Sequence, residues 1–279
     1  MCIRDSIYIP QSVTDIEKKA FNDNAVIYGY ANSAAEEFAK NNDIKFVAVN
    51  SHDEYLSLLT YSDTDNSSYK SAIDELSQLG IINGFEDGTF KPQDNVTRAQ
   101  AATMFATALG YSDTKYQNIA TDKAVFSDFL MSHWAYKYAD YVMKSADISS
   151  GETNCILSGF EDGTFRPDNN VTIIQLLKMA ICSLGEDGYM AEAVENGGYP
   201  NGYNTVAGKY GFSKSIAVDD INQPATREQT AQIISNTINM PIKRFGAINS
   251  ITADHKTESE KFLVTYDGSK EYYPLTTLK

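Results

Sequence analysis

The chain has 279 residues, a formal net charge of −14 and a sequence pI near 4.6. That acidity argues against a nucleic-acid binder, which needs a basic face for phosphate, and no run approaches the roughly 18–20 apolar residues of a membrane span. The length suits two or three domains, and an apolar content of 42% suffices for ordinary cores.

The opening Met1-Cys2-Ile3-Arg4-Asp5-Ser6 has no signal pattern. It fits neither a signal nor the segment after it and resembles translated adapter sequence at the edge of a fragment. The true N-terminus is therefore expected upstream, and the lack of a visible signal says nothing about secretion. Ile7-Tyr8-Ile9-Pro10 alternates as a strand ended by Pro, and Ala25-Val26-Ile27-Tyr28 reads as a second strand. Asn32-Ser33 starts a helix from Ala34 to Lys40, Ile44–Val49 is a third strand, and residues 51–60 are expected as a linker. Tyr69 to Leu79 carries Ala72, Ile73, Leu76 and Leu79 at helical spacing, and Gly80 stops it.

A phrase then appears that the chain writes twice. Gly84-Phe-Glu-Asp-Gly-Thr-Phe-Lys-Pro92 and Gly159-Phe-Glu-Asp-Gly-Thr-Phe-Arg-Pro167 share eight of nine residues at an offset of 75. Asp87-Gly88 and Asp162-Gly163 are turn dipeptides, because Gly accepts φ > 0. Each phrase leads to a capping-box pattern, Thr97-x-x-Gln100 or Thr172-x-x-Gln175, and then an apolar helix, Arg98 to Leu109 or Ile173 to Leu184. A third such start, Thr226-Arg227-Glu228-Gln229, follows Gly198-Tyr199-Pro200 and a helix to Tyr210, but lacks the glycine phrase. Arg98 and Arg227 stand at the first helical position where the second copy has Ile173. Phe262–Tyr266, Asp267-Gly268 and Tyr272-Tyr273 read as a β-rich tail, the start of another module.

Chemistry-bearing patterns are sparse. His52, His133 and His255 are scattered, and no nucleophile elbow, P-loop or dinucleotide fingerprint is present. Cys2, Cys155 and Cys182 have no metal-ligand spacing; Cys155 and Cys182 read as free thiols before they read as a disulfide. No catalysis, metal or cofactor is expected of this chain.

Two resemblances follow from these residues. Residues 61–241 look like three tandem S-layer homology repeats, on Phe126-Ser127-Asp128, His133-Trp134-Ala135, the two glycine phrases, and Thr-Arg-Ala-Gln or Thr-Arg-Glu-Gln at 97–100 and 226–229. Residues 1–50 resemble the end of a bacterial surface-antigen leucine-rich-repeat array, on Ile9-Pro10-Gln11-Ser12-Val13, Ile16, Ala20-Phe21 and Ile27-Tyr28-Gly29-Tyr30 through Ala35-Glu36-Glu37-Phe38-Ala39. The fold class expected is mainly α, with three helix-loop-helix repeats (61–125, 126–190 and a divergent 191–244) in a pseudo-threefold spindle. An α/β leucine-rich remnant precedes them, and a β-rich tail follows at 245–279.

The resemblance implies an extracellular, cell-wall-bound protein of a Gram-positive-type envelope. Its grooves between repeats would hold a secondary cell-wall polymer, commonly pyruvylated, or a peptidoglycan-linked glycan. Neighbouring surface proteins in a lattice are further partners. Candidate polymer-binding residues are Arg98, Arg227, Asp63, Asp128, Trp134, Tyr69, Gly84 and Gly159. An arginine at a helix start offers a planar fork for a carboxylate, beside free helix N–H groups. Each has a bland alternative: Arg98 and Arg227 as solvated or paired residues, Asp63 and Asp128 as N-caps, Trp134 as core. Thr97, Gln100, Thr172, Gln175, Thr226 and Gln229 are read as caps. Ile173 leaves one groove expected to be weak. The rival readings are a protein–protein scaffold and an adhesin centred on the leucine-rich region.

Overall fold

A computed structural model describes residues 6–17, 26–58, 60–85, 87–117, 124–145, 156–184, 186–217 and 220–242, with strand residues 260–261, 263–266 and 269–272. Ala20-Phe21, Cys2, Cys155 and His255, singled out above, lie outside them. The chain divides into two compact units, Met1–Lys91 and Pro92–Lys279.

In the first unit, β1 (Ser6–Ile9), β2 (Val26–Gly29) and β3 (Lys45–Ala48) form a parallel sheet in that order. Ser6 pairs with Val26 and Val26 with Lys45, so successive strands advance by 20 and then 19 residues. Helix α1 (Ala34–Asn41) packs between β2 and β3 in sequence, with Ser33 as its N-cap. Ile9, Ile27, Ala35 and Ala39 form the core, with Val13, Ile16, Phe38 and Phe46 around it. The stretch expected as a linker instead holds helix α2 (His52–Ser57). Ser51 Oγ accepts the Glu54 amide at 3.0 Å and Glu54 Oε2 accepts the Asn50 amide at 2.7 Å. Ser51-x-x-Glu54 was thus a helix-start signal. Tyr55 is buried against the rings of Tyr8 and Tyr28, which anchors the helix.

Helix α3 (Lys70–Gln78) buries Ala72, Ile73 and Leu76, and Gly80 at φ +67° turns the chain out of it. The first glycine phrase then folds back on Asp63, whose two oxygens accept the amides of Phe90 and Lys91, each at 2.8 Å.

The second unit holds α4 (Arg98–Ala108), α5 (Asp113–Gln117), α6 (Tyr136–Ser145) and α7 (Ile173–Ser183). A π-type turn at Glu186–Met190 leads to α8 (Ala191–Glu195), α9 (Asn201–Tyr210) and α10 (Arg227–Ile238). Two short antiparallel ladders follow, Pro241–Ile242 with Glu260–Lys261 and Leu263–Tyr266 with Ser269–Tyr272. Among the described residues the protein is mostly helical, and no helix is long and apolar enough to cross a membrane.

The three capped starts carry complete capping boxes: Thr97, Thr172 and Thr226 accept the amides of Gln100, Gln175 and Gln229, whose side chains accept the threonine amides in return. The residues just before them close a ring. Val96 N–H donates to the Ala225 carbonyl at 3.0 Å, Ala225 to Val171 at 2.9 Å, and Val171 to Val96 at 2.9 Å. Three short extended segments, each preceding a helix, therefore meet as one cyclic hub. Val96, Val171 and Ala225 are all buried there, so each bond is shielded from competing water.

Candidate functional site

The second glycine phrase makes a compact turn. Phe160 N–H donates to the Thr164 carbonyl at 2.8 Å, Gly163 N–H to Phe160 at 2.9 Å, and Asp162 Oδ1 accepts both the Thr164 amide and its hydroxyl. Gly163 sits at φ +77°, which only glycine adopts without strain. Asp128 holds the far end, accepting the amides of Phe165 at 2.7 Å and Arg166 at 2.8 Å. A Cβ on Gly159 would lie 2.3 Å from the Phe126 ring, and one on Gly84 would lie 2.2 Å from the Tyr61 ring. Both glycines are therefore packing positions for the aromatic residue that opens each repeat.

This turn, the start of α4 and one face of α7 enclose a groove of about 680 Å³. Arg98 reaches across it. Its Nε donates to the Phe165 carbonyl at 2.7 Å and its Nη2 to the Ser158 carbonyl at 2.8 Å, while its Cζ lies 4.6 Å from the Phe165 centroid and 4.9 Å from that of Phe160. Arg166 Cζ lies 3.9 Å from the same Phe160 ring, and its Nη2 pairs with Asp162 at 2.9 Å. Burial lowers the Arg98 guanidinium from its usual value, a shift partly offset by Tyr199. Lys178 on α7 and the half-exposed ring of Tyr199 complete the lining. Arg98, Arg166 and Lys178 share this concavity with Glu161 and Asp162, the latter paired with Arg166.

The helix starts themselves are closed to ligands, contrary to the expectation of free N–H groups. Arg98 and Ala99 donate to the carbonyls of Asn169 and Pro167, Ile173 and Ile174 to Gln223 and Ile221, and Arg227 and Glu228 to Asp94 and Pro92. The third amide of each goes to its threonine cap. The cyclic hub brings each helix start against the loop of the next segment, and those loop carbonyls satisfy the amides.

The other candidates are dispersed. Gly159 and Gln175 line the groove with Arg98. Asp128 does not line it and has both oxygens engaged by backbone amides, and Asp63 has the same role in the first unit; neither is an N-cap. Trp134 is 46% exposed and does not line the groove, whereas Tyr69 is buried at the start of α3. The loop from Asp128 to α6 is one residue longer than that from Asp63 to α3, which displaces Trp134 from the place Tyr69 holds. Arg227 is 2% exposed and Ile173 is fully buried. Cys182 is a buried free thiol, 3.8 Å from the Tyr203 hydroxyl.

Sequence reasoning missed Ser158, Phe160, Arg166, Lys178 and Tyr199. Two carried a signal. Both glycine phrases place a base before proline, Lys91 and Arg166. Lys178 is the sixth residue of its helix, where α4 has Thr103 and α10 has Gln232.

Two stretches of the chain match a family of non-catalytic cell-wall-binding modules. The S-layer homology domain model matches residues 60–102 and 125–172, so the chain carries this domain in two regions. The chain is 40% identical over 91 residues to cell surface glycoprotein 1 of Acetivibrio thermocellus, covering 33% of this chain and 3% of that protein. It is 25% identical over 170 residues to the middle cell wall protein of Brevibacillus brevis, covering 61% and 14%. It is 25% identical over 213 residues to the surface-layer 125 kDa protein of Lysinibacillus sphaericus, covering 72% and 16%. The chain thus spans less than a fifth of the length of each of these relatives. It is an extracellular, cell-wall-associated protein with a surface-attachment module.

Proposed function

We propose that this chain anchors a surface protein non-covalently to the cell wall by holding an acidic secondary cell-wall polymer in the groove between α4 and the Gly159–Pro167 turn. The observation that carries this is that Arg98 and Lys178 line one 680 Å³ groove without an ion-pair partner among the described residues. Cations fixed in a partly desolvated concavity attract an anion more strongly than the same cations spread over a surface. The exposed face of Tyr199 offers a platform for a sugar ring. A pyruvate ketal, with one carboxylate per sugar, fits this chemistry.

Residues 191–244 are read as a third, divergent repeat, because the Thr226 capping box and the Ala225 amide complete the hub on equal terms with the other two. Residues 1–50 are read as the end of a leucine-rich array. The 20- and 19-residue advance of a parallel sheet supports that reading, since it lies at the short end of, and one residue below, the 20–29 residues per strand of such repeats. An adhesive role for that array is compatible with anchoring by the groove.

The test is co-sedimentation of the full chain with purified sacculi, before and after acid removal of the secondary polymers. Binding is expected to vanish on stripping and to fall with Arg98→Ala. Binding indifferent to both treatments would overturn the reading in favour of a protein–protein scaffold.

A further inference from the structure

Arg98 has part of its guanidinium free for an anion. Its Nε–H and one hydrogen of Nη2 are donated to the carbonyls of Phe165 and Ser158, and the remaining Nη1 and Nη2 hydrogens have no acceptor among the described residues. The groove holds further donors beside it. Arg166 is tied to Asp162 and Thr164. Lys178 differs from Arg166: its ammonium donates to Ser158 Oγ at 2.8 Å and has no ion pair with any described carboxylate.

Ser158 therefore holds both cations. Its carbonyl accepts from Arg98 and its hydroxyl oxygen accepts from Lys178. Because that hydroxyl accepts, its own hydrogen is left to donate. The result is one corner with three convergent donors: a guanidinium edge, an ammonium with protons to spare, and a hydroxyl.

We propose that Lys178 and Ser158 are the specificity-determining residues of the groove, and that with the Arg98 edge they take a carboxylate carried on a wall glycan. The inference rests on the reading that this groove holds the polymer. Arg98 then acts in part as a positioning residue, fixing Ser158 and the glycine turn. The corner is particular to this groove, since the matching helix positions are Thr103 and Gln232, neither of them charged. Thr103 also returns its hydroxyl to the Ala99 carbonyl.

The test uses the full chain, purified wall polymer, and the variants K178Q, K178R and S158A, with affinity measured from low to moderate salt. Two modified polymers are included, one with carboxyls reduced to alcohols and one stripped of phosphate. Lys178 is half-buried at the groove wall, so K178Q is expected to melt with the native chain. It should bind about tenfold more weakly. The slope of log affinity against log salt should become shallower by roughly one, as for loss of one cation on a polyanion. K178R should recover most of the affinity, S158A should weaken it, carboxyl reduction should reproduce K178Q, and phosphate removal should leave binding unchanged. Native-like affinity and salt slope in K178Q would overturn the inference while leaving wall anchoring intact. Failure of the native chain to bind any of the polymers would overturn both. Loss of binding on phosphate removal alone would reassign the corner to phosphate.

Discussion

Val96 donates its amide to the carbonyl of Ala225 at 3.0 Å, a bond that joins the first capped start to the last. With Val171 between them the exchange is cyclic, so each segment is both donor and acceptor. Val171→Pro removes one donor and leaves the Val96 carbonyl without its partner, at a cost of about 1–3 kcal/mol. Because the ring closes on itself, hydrogen exchange should quicken at Val96 and Ala225 as well as near residue 171. Loss of protection confined to residues around 171 would contradict the cyclic account.

Asp128 accepts two backbone amides with its two oxygens, and these bonds fix the end of the glycine turn that carries Arg166. Replacement by alanine leaves two amides without a charged acceptor at a solvent-accessible position and is expected to destabilise the second unit by about 1–2 kcal/mol in urea unfolding. Asp128→Asn keeps one acceptor oxygen and should lose less. Equal, negligible losses in both would mean that the amides find other partners.

Gly159 and Gly163 predict opposite sources of cost. Alanine at Gly159 meets the Phe126 ring at 2.3 Å and the Thr164 carbonyl at 2.8 Å, so the turn or the ring must move. About 2–3 kcal/mol is expected, with broadened signals from Phe126. Alanine at Gly163 meets nothing within 4 Å and suffers only from φ +77°, about 1–2 kcal/mol. A reversed order in thermal melts would refute the packing argument.

Acidification tests the turn. Hydrogen bonding from the Thr164 hydroxyl, then from Arg166 and the Thr164 amide, holds Asp162 down to about 2. Its folded value is depressed, so its stabilising contribution is present above the unfolded value near 3.9 and is lost as pH falls through about 2. The amide resonance of Thr164 should titrate with a midpoint near 2. A midpoint near 4 would show that the turn does not form these bonds in solution.

Much of the site's frame was legible because it is local. The capping boxes at Thr97, Thr172 and Thr226 are contacts over three residues, and the Asp-Gly turns need only a φ that glycine supplies, so pattern and geometry coincide. Even α2 was legible through Ser51-x-x-Glu54. The roles of Asp63 and Asp128 were not, because the amides they hold lie more than two dozen residues away in the chain.

The pair Arg98 and Arg227 marks the boundary most sharply. By itself the sequence determined that each follows a threonine cap and begins a helix, since those requirements are met within one turn of chain. Only the tertiary structure decided that Arg98 reaches across a groove to Ser158 and Phe165 while Arg227 is buried at 2% exposure. The physical reason is that exposure depends on which distant segment packs over a helix start. For Arg98 that segment is the glycine turn of the following repeat, which also brings Lys178 within reach of the same serine.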